Sequence, residues 1–278
     1  MRYLLAADTG GTFTDIVVFD QRTKATLLGK TLTNYQDLVA GVLDGLSDTD
    51  GHLDEAAVFK HGTMHVINAF IQRKGARAAL VTTDGFRDLL EIGRGNRASP
   101  FNLAYRRFAP LVPRELRFEV TERTLADGTA VQAPDPIALR DIAARLRAAK
   151  IEAVAVSFLN AYRNPANETL AKRILAEELP GIFVTTGAEL SREWSEYERT
   201  STTAANAYVG SRVSEYMGLF DRRFRAQSFP GAFYMMGSNG AAVPERAGLV
   251  SWLSRGLNRR HREYEVRQSK PALKRRGG

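Results

Sequence analysis

The sequence predicts an α/β protein whose mixed sheet opens with an antiparallel β-meander and carries helices on both faces. Three observations support this class. Three short apolar runs joined by tight polar turns open the chain, which is the pattern of a meander. From residue 57, strand-like and helix-like stretches alternate, as they do where strands are mostly parallel. Hydrophobic residues make up 44% of the 278 residues, which is typical of a folded protein with a substantial core.

The predicted meander consists of three strands followed by a helix. The strands cover residues 3–7, 15–19 and 26–32. Their connections, TGGTF and DQRTK, are too short to hold a crossover, so neighbouring strands run antiparallel. Asn34 is a residue type that caps helices, and we expect it to begin a helix over 35–46.

Alternating strands and helices fill most of the remaining chain. Predicted strands cover 57–60, 78–82, 152–159, 181–186 and 232–236. Predicted helices cover 64–73, 85–92, 138–149, 164–178 and 194–225. Gly75 is expected to cap the first of these helices, because glycine readily adopts the left-handed conformation found there. The small residues of STTAANAYVG would let the last helix pack closely.

Residues 95–135 interrupt the alternation. They are rich in proline, and two strand-like pieces, 116–123 and 129–131, flank the turn signal Asp127-Gly128. We interpret this segment as a connecting excursion that carries a β-hairpin. The predicted organisation is one region over 1–250, with sub-lobes 1–95 and 136–243, the excursion 96–135 between them, and a tail over 251–278.

The C-terminal tail carries most of the net charge. Nine basic and two acidic residues give it +7 of the total of +8. Such a tail can bind nucleic acid or anionic lipid non-specifically. A solvated, disordered or aberrant tail is the preferred interpretation, and we expect no specific nucleic-acid partner.

Several classes of protein are excluded or disfavoured by composition. The absence of cysteine excludes disulfides, thiolate metal sites and a cysteine nucleophile. No apolar run reaches 18 residues, so no transmembrane helix is predicted. The first residues lack the basic-then-apolar pattern of a leader. We therefore expect a cytoplasmic protein without a membrane partner.

The turn between the first two strands, DTGGTFTD at 8–15, has the composition of a phosphate-binding turn. Gly10 and Gly11 give the backbone conformations closed to other residues and let a ligand approach the main chain. Successive N–H groups in such a turn can form an anion nest. Thr12 and Thr14 offer hydroxyl groups to phosphate oxygens.

Two carboxylates flank this turn. Asp8 could hold Mg²⁺, through water because that ion keeps most of its hydration. Asp15 could polarise a water molecule or orient a hydroxyl. No lysine follows the glycines and GxGxxG is absent, so this is neither a Walker A loop nor a dinucleotide fingerprint. The alternative is a glycine-rich hairpin turn with local hydrogen bonds.

DTGGTFTDIVVFD resembles the phosphate-binding hairpin that opens the N-terminal domain of the hydantoinase A/5-oxoprolinase family. Four further stretches, 61–94, 110–131, 152–168 and 196–209, resemble that family in the same order. Together they cover 3–243. The resemblance implies a ribonuclease H-like fold of the actin-type ATPase class.

The resemblance also implies ATP and Mg²⁺ as cofactors and a small cyclic amide or ketone as substrate. Members open hydantoins, 5-oxoproline or lactams, and others are subunits of acetone- or acetophenone-type carboxylases. ATP would activate a carbonyl or enolate oxygen by phosphorylating it. ATP-dependent hydrolysis of a cyclic amide is therefore the first hypothesis. An acetone-type carboxylase subunit is the second, and a catalytically silent fragment or binding subunit is the third.

Further site residues are implied by the same resemblance. His61 would contact phosphate or act as an acid or base, and the alternative is a strand-end histidine bonded to backbone. Thr63 and Asn68 would line the substrate cleft, although Asn68 could equally be a helix-surface amide. Arg94 would bind an anionic substrate, or else be a solvated arginine.

A turn near the end of the resemblance would complete the nucleotide site. Ser238, Asn239 and Gly240 resemble a family turn beside the phosphates, but Ala241 stands where a second glycine is usual. Met64 and Ile67 stand where the family typically has threonine, which puts substrate identity in doubt. His61 and His65 are spaced one turn apart, but no HExxH surrounds them, so no metal pair is predicted.

One lobe of a two-lobed nucleotide clamp is represented in this sequence. Relatives are expected to continue into a second phosphate hairpin, and this sequence has one. We hypothesise that the chain is the N-terminal half of a family member. It would need a second subunit or a C-terminal lobe for turnover and would act as part of an oligomer.

Overall fold

The chain divides into two units in this computed structural model. The structure describes residues 1–95, 101–102, 104 and 108–236, with the backbone alone at 65–66 and 242–244. The first unit holds Met1–Ala76 and the described residues from Val209 onwards, and the second holds Arg77–Tyr208. Residues 77–95, predicted with the first sub-lobe, thus lie in the second unit.

The elements alternate broadly as the sequence predicts. The strands are β1 (Tyr3–Thr9), β2 (Phe13–Asp20), β3 (Thr26–Leu32), β4 (Ala56–Thr63), β5 (Ala78–Thr83), β6 (Arg117–Val120), β7 (Arg123–Thr124), β8 (Ala130–Gln132), β9 (Ala153–Ser157), β10 (Phe183–Thr186), β11 (Ala232–Met236) and β12 (Ala242–Pro244). The helices are α1 (Leu38–Asp48), α2 (His65–Ile71), α3 (Leu89–Ile92), α4 (Pro136–Ala148), α5 (Ala166–Glu178), α6 (Gly187–Leu190) and α7 (Glu196–Ala226). In the described part of the chain, no helix is long and apolar enough to cross a membrane.

A six-stranded mixed sheet forms the first unit, in the order β12-β11-β4-β1-β2-β3. Strands β1, β2 and β3 pair antiparallel in sequence, which confirms the predicted meander. Strand β4 runs parallel to β1, and β11 runs parallel to β4. The register sets Asp8 opposite Asp15 and Thr9 opposite Thr14.

Helices α1 and α7 cover one face of this sheet. The shared core joins sheet, α1 and α7 side chains: Leu5, Ile16, Val18, Phe59, Val39, Val42, Leu46, Phe220 and Phe224. Side chains of a strand alternate between faces, and β1 shows this clearly because Leu5, Ala7 and Thr9 are buried whereas Asp8 is exposed. Residues of odd number in β1 therefore meet the helices, and Asp8 lies on the opposite face.

A four-stranded parallel sheet, β10-β9-β5-β6, forms the second unit. Every residue of β5 and of β9 is buried, as expected where both faces of a parallel sheet are covered. Strand β6 belongs to this sheet, although the sequence assigned its residues to a connecting hairpin. The hairpin consists only of β7 and β8, and Gly128 at its turn has a φ of 95°.

Two helix ends differ from the prediction. Asp37, rather than Asn34, caps α1 and accepts a hydrogen bond from the Ala40 N–H at 2.9 Å. Asn34 instead closes a local turn onto the N–H of Asp37. At the end of α2 the left-handed conformation falls on Arg73, with a φ of 53°, and not on the predicted Gly75.

Candidate functional site

The turn between β1 and β2 is closed by a single backbone hydrogen bond. The Gly10 N–H donates to the carbonyl of Phe13 at 2.9 Å. Gly11 and Thr12 form the tip and are exposed. The tip is therefore accessible at the end of the sheet, between two strands whose register is fixed.

The segment after β3 binds all three carbonyl groups at this turn. The Thr33 hydroxyl donates to the Gly10 carbonyl at 3.1 Å, and the Thr33 N–H donates to the Thr12 carbonyl at 2.9 Å. The Tyr35 hydroxyl donates to the Gly11 carbonyl. Within the described residues, the N–H groups of Gly11 and Thr12 have no acceptor. Two donors without partners on an exposed turn are suited to an anion.

The two glycines matter at this turn because they have no side chain, and not because they adopt unusual dihedral angles. Neither Gly10 nor Gly11 has a φ in the left-handed region, so the expectation of conformations closed to other residues is wrong. A Cβ atom at Gly10 would lie 3.1 Å from the Phe13 carbonyl oxygen, which is a tight contact. At Gly11 the nearest atom would be the Tyr35 hydroxyl oxygen at 3.8 Å, which leaves room for a ligand.

The two predicted carboxylates lie side by side on the sheet face opposite α1 and α7. Asp8 and Asp15 are directly paired across β1 and β2, and both are exposed. Asp15 forms an ion pair with Lys30 of β3 at 2.9 Å. On the other side, Gly62 of β4 is paired with Asp8, and a Cβ atom there would lie 2.6 Å from the Asp8 Oδ1. The absence of a side chain at Gly62 thus gives the Asp8 carboxylate its space.

Two residues predicted to contact the nucleotide point into the core instead. Thr14 is 2% exposed, and its hydroxyl lies 3.5 Å from Thr9 Oγ1 and 3.4 Å from Thr33 Oγ1. His61 is completely buried on the same face. The expected direct roles of Thr14 and His61 toward phosphate are therefore corrected, because the strand alternation turns both side chains away from Asp8.

His61 has the backbone-bonded geometry that the sequence left open as the alternative. Its Nδ1 lies 3.1 Å from the Ala7 carbonyl oxygen, and its Nε2 lies 2.7 Å from the hydroxyl of Tyr216 in α7. Phe59 and Phe220 surround the ring. Burial lowers the pKa of His61 to about 4, because an imidazolium would lose its hydration there, while the hydrogen bond to Ala7 opposes the shift.

Asp8 and Asp15 have the donor chemistry with which a hydrated, phosphate-bound Mg²⁺ would be held, namely one or two carboxylates. Among the described residues, no three His, Asp or Glu side chains converge on a metal position. Mg²⁺ bound to phosphates needs no such cluster, because it keeps several waters and uses one or two carboxylates. Asp8, which forms no ion pair within the described part of the chain, fits that role better than Asp15 does.

The predicted substrate residues lie in different places. Thr63 ends β4, pairs with Thr9 and forms a hydrogen bond with the Tyr216 side chain on the helix-covered face. Asn68 lies on α2, half-buried. Arg94 belongs to the second unit, where its exposed guanidinium pairs with Glu198 in the first turn of α7. Ser238, Asn239 and Gly240 lie outside the described residues.

Sequence reasoning missed four residues that shape the turn or its surroundings. They are Thr33, Tyr35, Gly62 and Tyr216. Register could have indicated the first two, since a meander returns β3 beside the turn. Gly62 stands between His61 and Thr63, and a lone glycine at a strand end gives no sign of the side chain that it makes room for. Tyr216 carried no signal, because it meets His61 across 155 residues of sequence.

Known proteins resemble this chain in sequence. Residues 4–179 match the family model described as the hydantoinase/oxoprolinase N-terminal region. An uncharacterised protein of Methanocaldococcus jannaschii is 35% identical over 243 residues, which cover 86% of this chain and 36% of that protein. The caprolactamase subunit alpha of Pseudomonas jessenii is 31% identical over 252 residues, which cover 87% of this chain and 36% of that subunit. The chain therefore spans 36% of the length of each of these two relatives.

Two solved structures resemble it in fold. A nucleotide-free acetone carboxylase matches with a TM-score of 0.79 at 28% identity, over 91% of this chain and 39% of that chain. The ATP-dependent caprolactamase from Pseudomonas jessenii matches with a TM-score of 0.76 at 30% identity, over 87% of this chain and 36% of that chain. These matches and the mixed six-stranded sheet confirm the predicted actin-type ATPase fold class.

Proposed function

The chain belongs to the hydantoinase/oxoprolinase family, and on this premise we propose that its β1–β2 turn binds the phosphates of ATP. The reaction that we propose for the complete enzyme is ATP-dependent hydrolysis of a small cyclic amide, such as a hydantoin, 5-oxoproline or a lactam. The likeness to an ATP-dependent caprolactamase supports this class, because a lactam is a cyclic amide.

The orientation of the turn carries the proposal. Thr33 and Tyr35 bind its carbonyl groups, so the N–H groups of Gly11 and Thr12 are free to meet phosphate oxygens. Backbone donors that are held in place by bonds to the neighbouring carbonyl groups need little reorganisation when an anion arrives. A hairpin with freely turning peptide groups would present carbonyl oxygens as well, and these repel phosphate.

Three side chains near the turn would each act differently on a bound phosphate: Asp8, Thr12 and Asp15. The Thr12 hydroxyl at the tip can donate to a phosphate oxygen. Asp8 would hold a hydrated Mg²⁺, which neutralises phosphate charge when it is bound. Asp15 would orient a water molecule or hydroxyl, and its Lys30 partner limits the negative charge beside the phosphates. In the proposed reaction the amide oxygen would accept the γ-phosphoryl group of ATP, and ADP would leave. Water would then add to the activated ring carbon, the ring C–N bond would break, and inorganic phosphate would leave.

A carboxylase subunit is the second candidate. The acetone carboxylase structure supports it, because it matches this chain with a TM-score of 0.79. Both reactions would use the same nucleotide turn and differ in the second substrate. An activity of the assembled enzyme that depends on bicarbonate would favour the carboxylase, and lactam-dependent release of ADP without bicarbonate would favour the hydrolase.

Calorimetry of Mg·ATP binding to the purified chain tests the nucleotide site. We expect the wild type to bind and Asp8→Ala to weaken binding by at least about tenfold, because the ion loses its carboxylate. Asp15→Ala should weaken binding less, since Lys30 already neutralises that carboxylate.

Asp44→Ala is the matched control for these variants. Asp44 is an exposed carboxylate on α1 in the same unit. Its removal makes the same change in net charge and should leave the dissociation constant unchanged. A folded wild type that binds no Mg·ATP would contradict the proposed site, as would equal losses in Asp8→Ala and Asp44→Ala.

A further inference from the structure

We propose that Lys30 of β3 is a phosphate-binding residue, whose ammonium group moves from the Asp15 carboxylate to the terminal phosphate when ATP binds. The inference rests on the proposed nucleotide site at the β1–β2 turn and names the residue that would bind the end of the phosphate chain. The sequence places no lysine directly after Gly10 and Gly11. The fold brings a lysine to the same part of the sheet from β3.

Strand pairing sets Lys30 in one row with the two carboxylates. Asp8 is paired with Asp15 across β1 and β2, and Asp15 is paired with Lys30 across β2 and β3. Directly paired residues have their side chains on the same face, so all three stand on the sheet face opposite α1 and α7. Neighbouring strands lie about 4.8 Å apart, so the main chains of Asp8 and Lys30 flank Asp15 at about 10 Å from each other.

The ammonium group of Lys30 lies on the side of this row that faces the phosphate turn. Its Nζ lies 2.9 Å from Asp15 Oδ1 and 5.1 Å from the centre of the Phe13 ring. Phe13 follows Thr12 of the tip directly, and its side chain is exposed on the same face as Asp15. A contact with both side chains therefore places the ammonium between the carboxylate row and the tip.

A triphosphate can meet the tip and the row together. Asp15 is three residues beyond Thr12, which is about 10 Å along a strand. With one phosphate at the N–H groups of Gly11 and Thr12, the rest of the chain would lie along the sheet face toward the row. The terminal phosphate would then have Asp8, the proposed magnesium residue, on one side and Lys30 on the other.

The ion pair between Lys30 and Asp15 is suited to exchange. The two side chains are 59% and 56% exposed, and ion pairs so open to water contribute little to stability. A terminal phosphate carries more negative charge than one carboxylate, so it attracts the ammonium more strongly. The flexible stem of a lysine allows the move without a change in the backbone. The exchange would leave Asp15 free to orient the water molecule or hydroxyl.

Calorimetry of Lys30→Met tests the inference with Mg·ATP and Mg·ADP as probes. Methionine is unbranched, so it keeps a flexible stem over Phe13 and removes the charge. We expect Mg·ATP binding to weaken about tenfold and Mg·ADP binding to weaken about twofold or less, because ADP lacks the terminal phosphate.

Lys24→Met is the matched control for this variant. Lys24 is an exposed lysine in the connection between β2 and β3, at the end of these strands far from the phosphate turn. Its replacement makes the same change in net charge and should leave both dissociation constants unchanged. Circular dichroism checks that both variants are folded.

A second comparison separates direct binding of phosphate from neutralisation of Asp15. If Lys30 only cancelled the charge of Asp15, Lys30→Met would have no effect in a protein that already carries Asp15→Ala. We expect Lys30→Met to weaken Mg·ATP binding about tenfold in that background as well, because the partner that Lys30 loses is the phosphate.

The outcomes distinguish this inference from the proposed function. A folded wild type that binds no Mg·ATP would overturn both. A wild type that binds Mg·ATP and a Lys30→Met variant of the same affinity would overturn the role of Lys30 alone. Equal losses for Mg·ATP and Mg·ADP, an equal loss in Lys24→Met, or no effect of Lys30→Met beside Asp15→Ala would also overturn that role.

Discussion

Gly62 shows how a single absent side chain shapes the candidate site. A Cβ atom at this position would lie 2.6 Å from Asp8 Oδ1 and 3.2 Å from Asp8 Cγ. Real Cβ atoms do not approach oxygen so closely, and the carboxylate would have to turn away. The identity of residue 62 therefore decides where the Asp8 carboxylate can stand, although Gly62 itself offers no chemistry.

We predict that Gly62→Ala weakens Mg·ATP binding by about tenfold or more while the fold is kept. The reason is steric displacement of Asp8 rather than loss of charge. Calorimetry and circular dichroism of the variant check both parts. Gly218→Ala in α7 is the control, because a Cβ atom there meets only the mobile end of Arg222 at 3.4 Å. Unchanged affinity in Gly62→Ala would show that the observed position of Asp8 is not needed.

His61 makes folding stability depend on pH. Burial lowers its pKa from 6.5 to about 4 in the folded protein, whereas the unfolded chain keeps the ordinary value. Between these values the unfolded state binds the proton and the folded state does not. The contribution to stability is therefore present above pH 6.5 and is lost as the pH falls toward 4.

We expect this contribution to fall by about 3 kcal/mol between pH 6.5 and pH 4. Urea denaturation of the wild type and of His61→Gln at several pH values gives the measurement. The variant should be less stable at pH 7. The difference in free energy of unfolding between the wild type and the variant should become smaller as the pH falls. A difference that stays constant with pH would mean that His61 has the same pKa in the folded and the unfolded state.

At the scale of elements, the segment after β3 stabilises the turn between β1 and β2. Thr33 and Tyr35 follow the third strand of the meander, yet they bind the carbonyl groups of the first turn. Antiparallel pairing of β2 with β3 brings them there, with Phe13 opposite Leu32. The three-strand meander thus fixes the orientation of the turn's carbonyl groups.

Element identity was predicted well where the pattern is local and poorly where neighbours decide it. The strand 26–32 and the strand 232–236 have the predicted bounds, since their turn signals are explicit. Strand β6 was assigned to a hairpin because a short apolar run carries no information about its partner. Its actual neighbour is β5, some 35 residues earlier in the chain, and that pairing places it in the parallel sheet.

The ends of helices are also poorly predicted where a distant contact decides them. Asn34 and Asp37 are both good capping residues, and the sequence offers no way to rank them. Asp37 is selected in the structure, where its side chain also pairs with Arg223 of α7. A contact across 186 residues therefore settles where α1 begins.

At the scale of the whole molecule, the length of the relatives bears on activity. The chain spans 36% of the caprolactamase subunit alpha. Our proposal is that the remaining part of such a protein, or a separate subunit, supplies the second half of the nucleotide clamp. A partner of this kind and an oligomeric state remain predictions.

A chimera tests the need for that partner region. This chain would replace the matching N-terminal part of the caprolactamase subunit alpha, with which it shares a TM-score of 0.76. We expect no lactam-dependent ADP release from the chain alone and measurable release from the chimera with its other subunits. The same chimera with Asp8→Ala should be inactive. Turnover by the isolated chain would contradict the requirement for a second lobe.

The sequence by itself determined the meander, the glycine-rich turn, the alternation of strands and helices, and the family. These features are local, since a strand repeats every two residues and a turn is specified by a few residues. Only the tertiary structure decided which face each site residue occupies. It separated Asp8 and Asp15 from Thr14 and His61, and it joined His61 to Tyr216. Such pairings depend on register and on helix packing between distant segments, which no local pattern encodes.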